Sequence, residues 1–539
     1  MMKKKIFILM MLTLLFLAAC ANDDKKNSAV GNEKALENLT DTEMPIVKEE
    51  ITLNFFAGKA PATADNWNDV MIFNKYKEMT NINVKWEQVP HASLAEKRNL
   101  ALAGGNLPDA FHNTGMPTAD ILKYGEQGIF VPLNDLIEEY APNFNKILEE
   151  NPDVKQALTF PDGNIYSFPL MAEPEFYSYR MGPKPRINEE WLDALGMDMP
   201  ETLEDFYQYL KAVKDGDPNG NGKADEIPYG APSLGTLINY LQGAFGLSNK
   251  GTSNLNVDID PKSGELRFFP ITNEYKQMLE YINKLYSEGL IEQSIFTTTT
   301  EQYLANGSES KYGSTVWYNP IDIFGEKASV YTGMPALEGP NGDKQFNSLM
   351  PTVVIPGAFV ITNANKNPEA TVRWIDYFYG DEGMKLFFMG VEGETFEENA
   401  DGELVYMDHI INSADGLTYE QEVAKYLTYP GGGFPSITHR KYFKGPANSP
   451  ADLEAAEKLI PNLVESPWAP FKYTNEETKT LVGLGGDIEK YVTEMTDKFI
   501  AGEVPFSKWD EYVKTIENIG LEEYMMIKTD AMKRYEGDK

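Results

Sequence analysis

The chain has almost no cysteine. Cys20 is the single one in 539 residues, which excludes an internal disulfide framework and leaves the body without a thiol nucleophile. Histidine is nearly as scarce: His91, His112, His409 and His439 are all there are, and no two fall at the spacing of a zinc site. There is no G-x-S-x-G elbow and no phosphate-binding loop. Positive charge is short as well, with 48 basic against 82 acidic residues and a formal net charge of −34. A surface of that sign repels nucleic acid and anionic polymers at long range, so a neutral or cationic small ligand is the easier partner, although a local basic pocket can override the global sign. After the first twenty residues no stretch is long and apolar enough to span a bilayer.

What is present describes a large folded protein. Hydrophobic residues make up 42% and aromatics 12%, the composition of a packed domain and not of a disordered chain. A chain this long exceeds one ordinary core, so at least two domains are expected. The beginning reads as an address: Lys3 to Lys5, the apolar run Ile6 to Phe16, then Leu17-Ala18-Ala19 before Cys20. This end resembles a bacterial lipobox. Residues 1–19 are then a signal peptide, Cys20 carries the lipid, and residues 20–50, polar and aperiodic, are a flexible tether. Loss of the three signal lysines makes the net charge three units more negative. An uncleaved membrane anchor is the rival reading; both place the body outside the cytoplasm, held at the outer face of the cytoplasmic membrane.

The periodicities that follow are those of an α/β protein. Ile51 to Gly58 alternates and stops at glycine, Asp69 to Met79 has helical spacing, and Ile82 to Val89 is again a strand, a βαβ opening. A helix over Leu94 to Ala103 leads to a strand at Leu107 to Phe111, with His112-Asn113 at its carboxyl end, where ligands gather in open α/β sheets. Ile165 to Pro169 is a short strand. Helices follow at Glu190 to Gly196 and at Leu203 to Lys214, the latter started by Thr202 in a T-L-E-D context. Asn273 to Glu288 and Pro368 to Phe378 are further helices and Phe359 to Thr362 a strand, while Trp509 and Tyr512 lie at helical spacing and read as core.

The helix from Leu203 delivers the chain to Asp215–Pro228, DGDPNGNGKADEIP. Alternating Asp and Asn oxygens, two glycines and the Asp225-Glu226 pair converge as a hard divalent cation such as Ca²⁺ requires. Two registers fit. From Asp215, the residues Asp215, Asp217, Asn219, Gly220 and Glu226 satisfy D-x-[DN]-x-[DN]-G-x5-E. From Asp217, the ligands are Asp217, Asn219, Asn221, the Lys223 carbonyl, Asp225 and Glu226, but Pro228 stands where the bidentate Glu should be. Pro228 disfavours an immediate second helix in either register.

A set of motifs then recurs in order: Leu107-Pro-Asp109, Val131-Pro-Leu133, Pro161-Asp-Gly163 with Tyr166, Trp191-Leu-Asp-Ala-Leu-Gly196, Asp217 to Glu226, Leu285-Tyr-Ser-Glu-Gly-Leu290 and Phe499-Ile-Ala-Gly502. From about residue 50 to 535 the chain resembles the lipoprotein solute-binding components of bacterial carbohydrate ABC importers, in the large branch that includes LplA-like and alginate-oligosaccharide-binding proteins. The resemblance implies a periplasmic-binding-protein-like α/β fold: two discontinuous lobes, joined by hinge strands, closing over a sugar in the cleft. It implies lobe one over 51–167 and 331–405, and lobe two over 168–330 and 406–539, with the calcium loop at 215–228 and C-terminal helices packed across both. It favours the metal register from Asp217, with calcium in a structural role. The partners it implies are a small carbohydrate, an oligosaccharide rather than a monosaccharide, and the membrane permease of an ABC importer, with the chain itself a monomer.

A sugar site needs flat aromatic surfaces with carboxylate, amide and guanidinium groups around them. On that chemistry the candidates are Asn66, Trp67, His112, Asn113, Glu173, Glu175, Tyr177, Arg180, Trp317 and Tyr318, with the Tyr429–Phe434 glycine loop bordering the cleft. Met389 stands where the resembled family usually has Trp. A glycoside hydrolase or lyase needs only two carboxylates, which 82 acidic residues can supply, and a sugar-sensing or adhesion lipoprotein is the other rival; a binding protein, not an enzyme, is the expectation.

Overall fold

The structure is a computed structural model that describes residues 33–319, 324–325 and 329–537; the expected signal peptide, Cys20 and the first part of the tether lie outside the described residues. The strands, in chain order, are β1 (Ile51–Lys59), β2 (Ile82–Pro90), β3 (Ala110–His112), β4 (Ser167–Ala172), β5 (Lys184–Asn188), β6 (Ile227–Tyr229), β7 (Val257–Ile259), β8 (Leu266–Phe268), β9 (Tyr312–Trp317), β10 (Tyr331–Gly333), β11 (Val353–Ile361), β12 (Phe396–Glu398), β13 (Leu404–Tyr406) and β14 (Ile437–Thr438). Six of them form one sheet in the order β14-β4-β11-β3-β1-β2, and four form another in the order β10-β5-β9-β6. Each sheet is the centre of its own hydrophobic core, so the chain makes two α/β lobes.

Lobe one starts as its sequence dictates. β1 and β2 pair in parallel from Ile51 with Ile82 to Lys59 with Pro90, and the connection between them carries helix α1 (Met71–Thr80), whose apolar face supplies Ile72, Phe73 and Tyr76 to the core. α1 ends where Asn81 turns left-handed at φ 58°, a conformation Asn tolerates. Helix α2 (His91–Gly104) leads to β3, which pairs with the other edge of β1. β11 then runs antiparallel between β3 and β4.

Lobe two is built on helix α3 (Leu203–Asp215), which starts from a reciprocal capping box between Thr202 and Asp205. Its core also takes α4 (Leu234–Leu241), α5 (Asn273–Ser287), α6 (Pro450–Leu459), α7 (Gly486–Ala501), α8 (Trp509–Ile519) and the start of α9 (Leu521–Glu536). Trp509 and Tyr512 are buried there, as their spacing implies. The far end of α9 brings Ala531, Met532 and Tyr535 against Trp468 and Phe471, and Tyr535 also packs on the core of lobe one, so this helix reaches across both lobes.

The lobe boundaries differ from those expected. β4 is buried along its whole length in the six-stranded sheet, so the first crossing follows residue 172 and not 167. β10 belongs to the four-stranded sheet, which keeps 331–349 with lobe two. Residues 406–443 return to lobe one, because Tyr406, Ile410, Val423, Leu427, Phe434 and Tyr442 are buried in its core. The expected tether also ends early: Ile46 and Val47 are buried in the lobe-one core, and the Arg373 guanidinium donates to the Thr40 carbonyl, so 39–50 is docked chain.

The heart of lobe one is a cage of aromatic rings. Trp67 meets Trp86 edge-on at 5.1 Å between ring centroids, Phe73 stacks on Trp86 at 4.4 Å, and Phe55 meets Trp374 edge-on at 5.3 Å. His112 sits inside this cage, edge-on to Trp86, Trp67 and Phe359. It is 2% exposed and its Nδ1 has no hydrogen-bond partner. Burial pushes the imidazole pKa down to about 3, because the charged ring would lose its hydration among indoles. The unfolded chain takes up this proton near pH 6.5 and the folded chain only near 3, so the side chain's contribution to stability is complete above pH 6.5 and is lost as pH falls toward 3, by about 1.4 kcal/mol per pH unit. Urea midpoints measured from pH 7 to pH 4 should therefore fall less steeply for His112→Gln than for the parent chain; equal slopes would mean that water reaches the ring.

The interlobe cleft and the oxygen-rich loop

Among the described residues, the chain passes between the two sheets at residues 173–183, 350–352 and 439–449. These segments are bonded to one another. Arg180 donates its Nε to the Met350 carbonyl at 2.9 Å, while the Met350 amide donates back to the Arg180 carbonyl at 2.8 Å. The Arg440 amide donates to Glu173 Oε2 at 2.7 Å, and His439 Nδ1 lies 3.4 Å from the same oxygen. Where the crossings enter lobe two, Asp452 at the start of α6 receives Lys184 at 3.1 Å and the Arg186 guanidinium. All three side chains are buried. Burial draws the Lys184 ammonium below its usual pKa, against the opposing pull of Asp452.

Above these crossings lies a cleft of about 660 Å³, within the roughly 300–1,000 Å³ of small-molecule sites. Leu170, Val354, Ile355, Gly433 and Phe443 line it from lobe one, and Thr236, Asn239, Tyr240, Val316, Tyr318 and Asn319 from lobe two. Tyr318, just past the end of β9, is 52% exposed, so one large aromatic ring stands free on the wall. Tyr179 closes the hinge side, stacked on Phe176 and edge-on to Phe443. Asn319 is held by its Nδ2 donating to Ser449 Oγ at 3.0 Å. Aromatic surface and amide and hydroxyl groups face a common space, which suits a ligand with apolar ring faces and hydroxyl edges.

Of the ten sequence candidates, Tyr318 lines this cleft. Trp317 is half-buried against Tyr303 and Tyr318 and acts as backing for its neighbour. Trp67 is core, its Nε1 donating to Thr63 Oγ1, and His112 is core as described; an aromatic group after a strand end can turn inward as easily as outward. Asn66 caps an exposed turn by accepting from the Asn68 amide. Asn113, at φ 52°, donates to the Gly432 carbonyl at 3.0 Å and so holds the glycine loop whose Gly433 borders the cleft. Glu173 and Arg180 bind the crossings together, Glu175 is exposed, and Tyr177 packs beside the lobe-two core. Met389 is buried in lobe one. Asn239, Tyr240 and Phe443 were missed, whereas Tyr179, which lines the cleft, belongs to the run Glu173, Glu175, Phe176, Tyr177, Tyr179, Arg180 that mixes the groups a sugar site needs. That run signals the hinge, while the helix α4 residues carry no local signal.

In the Asp215–Pro228 stretch the residues from Asp217 onward are joined by a net of hydrogen bonds. Asp217 accepts from the Asn221 amide at 3.0 Å and the Gly222 amide at 2.8 Å, Asn219 accepts from Asn221, and Asn221 accepts from Lys223. Asp215 closes α3 and stays outside this net. Asp225 accepts from the amides of Asn219 and Asn221, which hold its carboxyl below the usual range. Glu226 Oε1 is buried with no hydrogen-bond partner, an oxygen donor left over at the loop's end. Among the described residues no three His, Cys, Asp or Glu side chains gather at metal-binding distance; the donor chemistry, hard oxygens around a two-glycine turn, nonetheless fits a Ca²⁺ ion.

The model of the bacterial extracellular solute-binding protein family matches residues 59–385. The chain belongs to this family. Among characterised members of the solute-binding protein family, it is 30% identical over 95% of both chains to the fructooligosaccharide ABC transporter substrate-binding protein FusA of Streptococcus pneumoniae serotype 4. The structure of FusA in complex with kestose superposes with a TM-score of 0.74 at 28% identity, covering 91% of this chain and all of that one. An EF-hand mutant of FusA in complex with fructo-nystose gives 0.73 at 28% identity, with the same coverage. These relatives are solute-binding proteins and not enzymes.

The buried triad predicts a large stability effect in this solute-binding protein. Asp452→Ala leaves Lys184 and Arg186 buried without their shared carboxylate, a loss of about 3–5 kcal/mol. Chemical denaturation measures it; a change under 1 kcal/mol would show that the two cations find water.

Proposed function

We propose that this solute-binding protein captures a neutral oligosaccharide, of the fructo-oligosaccharide class, between its lobes and delivers it to the permease of an ABC importer. The observation that carries this reading is the free Tyr318 ring set among Asn239, Asn319 and Thr236 in the cleft between two hinged lobes. Binding to both walls favours the closed arrangement of the lobes, and the closed form is the one a membrane permease would recognise. The saccharide named for FusA and its kestose complex supports the ligand class. The acidic surface agrees with a neutral ligand. Cys20, as the lipid-bearing residue, would hold the monomer at the outer face of the cytoplasmic membrane.

Calcium, held by Asp217, Asn219, Asn221, the Lys223 carbonyl, Asp225 and Glu226, would stiffen the loop between α3 and β6, which enters the lobe-two sheet. The EF-hand named for the FusA mutant supports this reading. The ion supplies charge neutralisation for the loop's carboxylates; the sugar-binding groups are elsewhere.

Calorimetric titration with kestose tests the ligand. Tyr318→Ala should weaken binding by about 1–3 kcal/mol, the range of a lost aromatic platform, with no change in melting temperature; full affinity would remove Tyr318 from the site. Chelation should lower the melting temperature of the parent chain by several degrees, as loss of a folded-state ligand requires, and leave Asp217→Ala unchanged. A parent chain whose melting is indifferent to both chelator and added Ca²⁺ would refute the metal.

A further inference from the structure

The cleft does not end at helix α4. A second hollow of about 470 Å³ lies on the other side of that helix, in lobe two, and Asn239 and Thr252 border both spaces. The helical repeat explains the division: Thr236 and Tyr240 line the cleft, Gly235, Ile238 and Gln242 line the hollow, and Asn239 on the crest belongs to both. We infer that the hollow is a subsite for the tail of a longer neutral oligosaccharide, whose first units occupy the cleft and whose chain passes over Asn239 and Thr252. The inference rests on the carbohydrate reading proposed above.

The lining decides the ligand class. Among the described residues around the hollow there is no Lys or Arg, so an anionic group would find no countercharge, and Asp497 would repel it. Asn256, Thr298 and Thr493 offer amide and hydroxyl groups. Leu255 and Phe296 add apolar surface, 59% and 36% exposed respectively. Phe296 is held edge-on to Tyr286 at 5.3 Å between centroids, which fixes its ring while leaving a face free. A fixed aromatic face beside amides, hydroxyls and one carboxylate repeats the chemistry of the cleft wall around Tyr318. It is suited to another sugar ring.

The test is a chain-length series, with the whole chain titrated by kestose, nystose and inulin-type chains of increasing length. The parent should gain affinity as units are added beyond those that fill the cleft. Phe296→Ala should bind kestose within about twofold of the parent yet lose about fivefold to tenfold on the long chains, as expected for one lost ring contact. Leu255→Ser, at an exposed position that folding tolerates, should lose in the same length-dependent way. A parent affinity independent of chain length, or losses equal at every length, would overturn the subsite and leave the cleft reading standing. Failure of the parent to bind any of these saccharides would overturn the carbohydrate reading and the subsite with it.

Discussion

One buried carboxylate governs how the two lobes meet. Asp452 receives Lys184 and Arg186, and these residues stand where two different crossings enter lobe two. Such a group is strongly favoured only if both cations stay with it, because separating any of the three leaves a charge in a low-dielectric interior. The first and third crossings are thereby fixed to each other on the lobe-two side. On the lobe-one side Glu173 joins the same pair through the Arg440 amide, and Arg180 ties in the second crossing through Met350. The connection between the lobes is thus a hydrogen-bonded bundle of crossing segments, and the cleft lies beside it.

This arrangement separates the rigid from the adaptable. The aromatic cage of lobe one and the helical core of lobe two keep each wall in shape, as close-packed interiors do. The residues able to meet a ligand, Tyr318, Asn319, Asn239 and Tyr179, stand on strand ends, one helix face and a crossing. The cleft lining therefore sits largely at the ends of rigid elements, where open α/β sheets place their ligand crevices.

Much of the fold was legible from local pattern. The βαβ opening, the capping box at Thr202 and the burial of Trp509 and Tyr512 follow from periodicity and cap chemistry, which act over a few residues. The lobe boundaries were not legible, because whether Ser167–Ala172 closes one lobe or opens the next depends on its pairing with Val353–Ile361, almost two hundred residues away. The candidate site was legible in part for a similar reason. Residue chemistry marks Trp67, His112 and Tyr318 equally as ring-bearing groups near strand ends, yet two turn into the core and one into the cleft. The turn of the oxygen-rich loop, by contrast, is a local matter: its alternating Asp and Asn residues signal the hydrogen-bonded turn that Asp217 anchors.

The contact between Asn113 and the glycine loop has a consequence for how this protein can diversify. A Cβ on Gly433 would lie 1.9 Å from Asn113 Oδ1, and the backbone there is left-handed at φ +80°; a Cβ on Gly431, at φ +92°, would lie 2.2 Å from that of Ala60. Neither position accepts a side chain without rebuilding its neighbours. New ligand preferences therefore cannot arise by decorating this stretch of the lobe-one wall. They are more easily acquired across the gap, at Asn239 on α4 and Tyr318 past the end of β9, whose side chains are exposed and can be exchanged without disturbing a core.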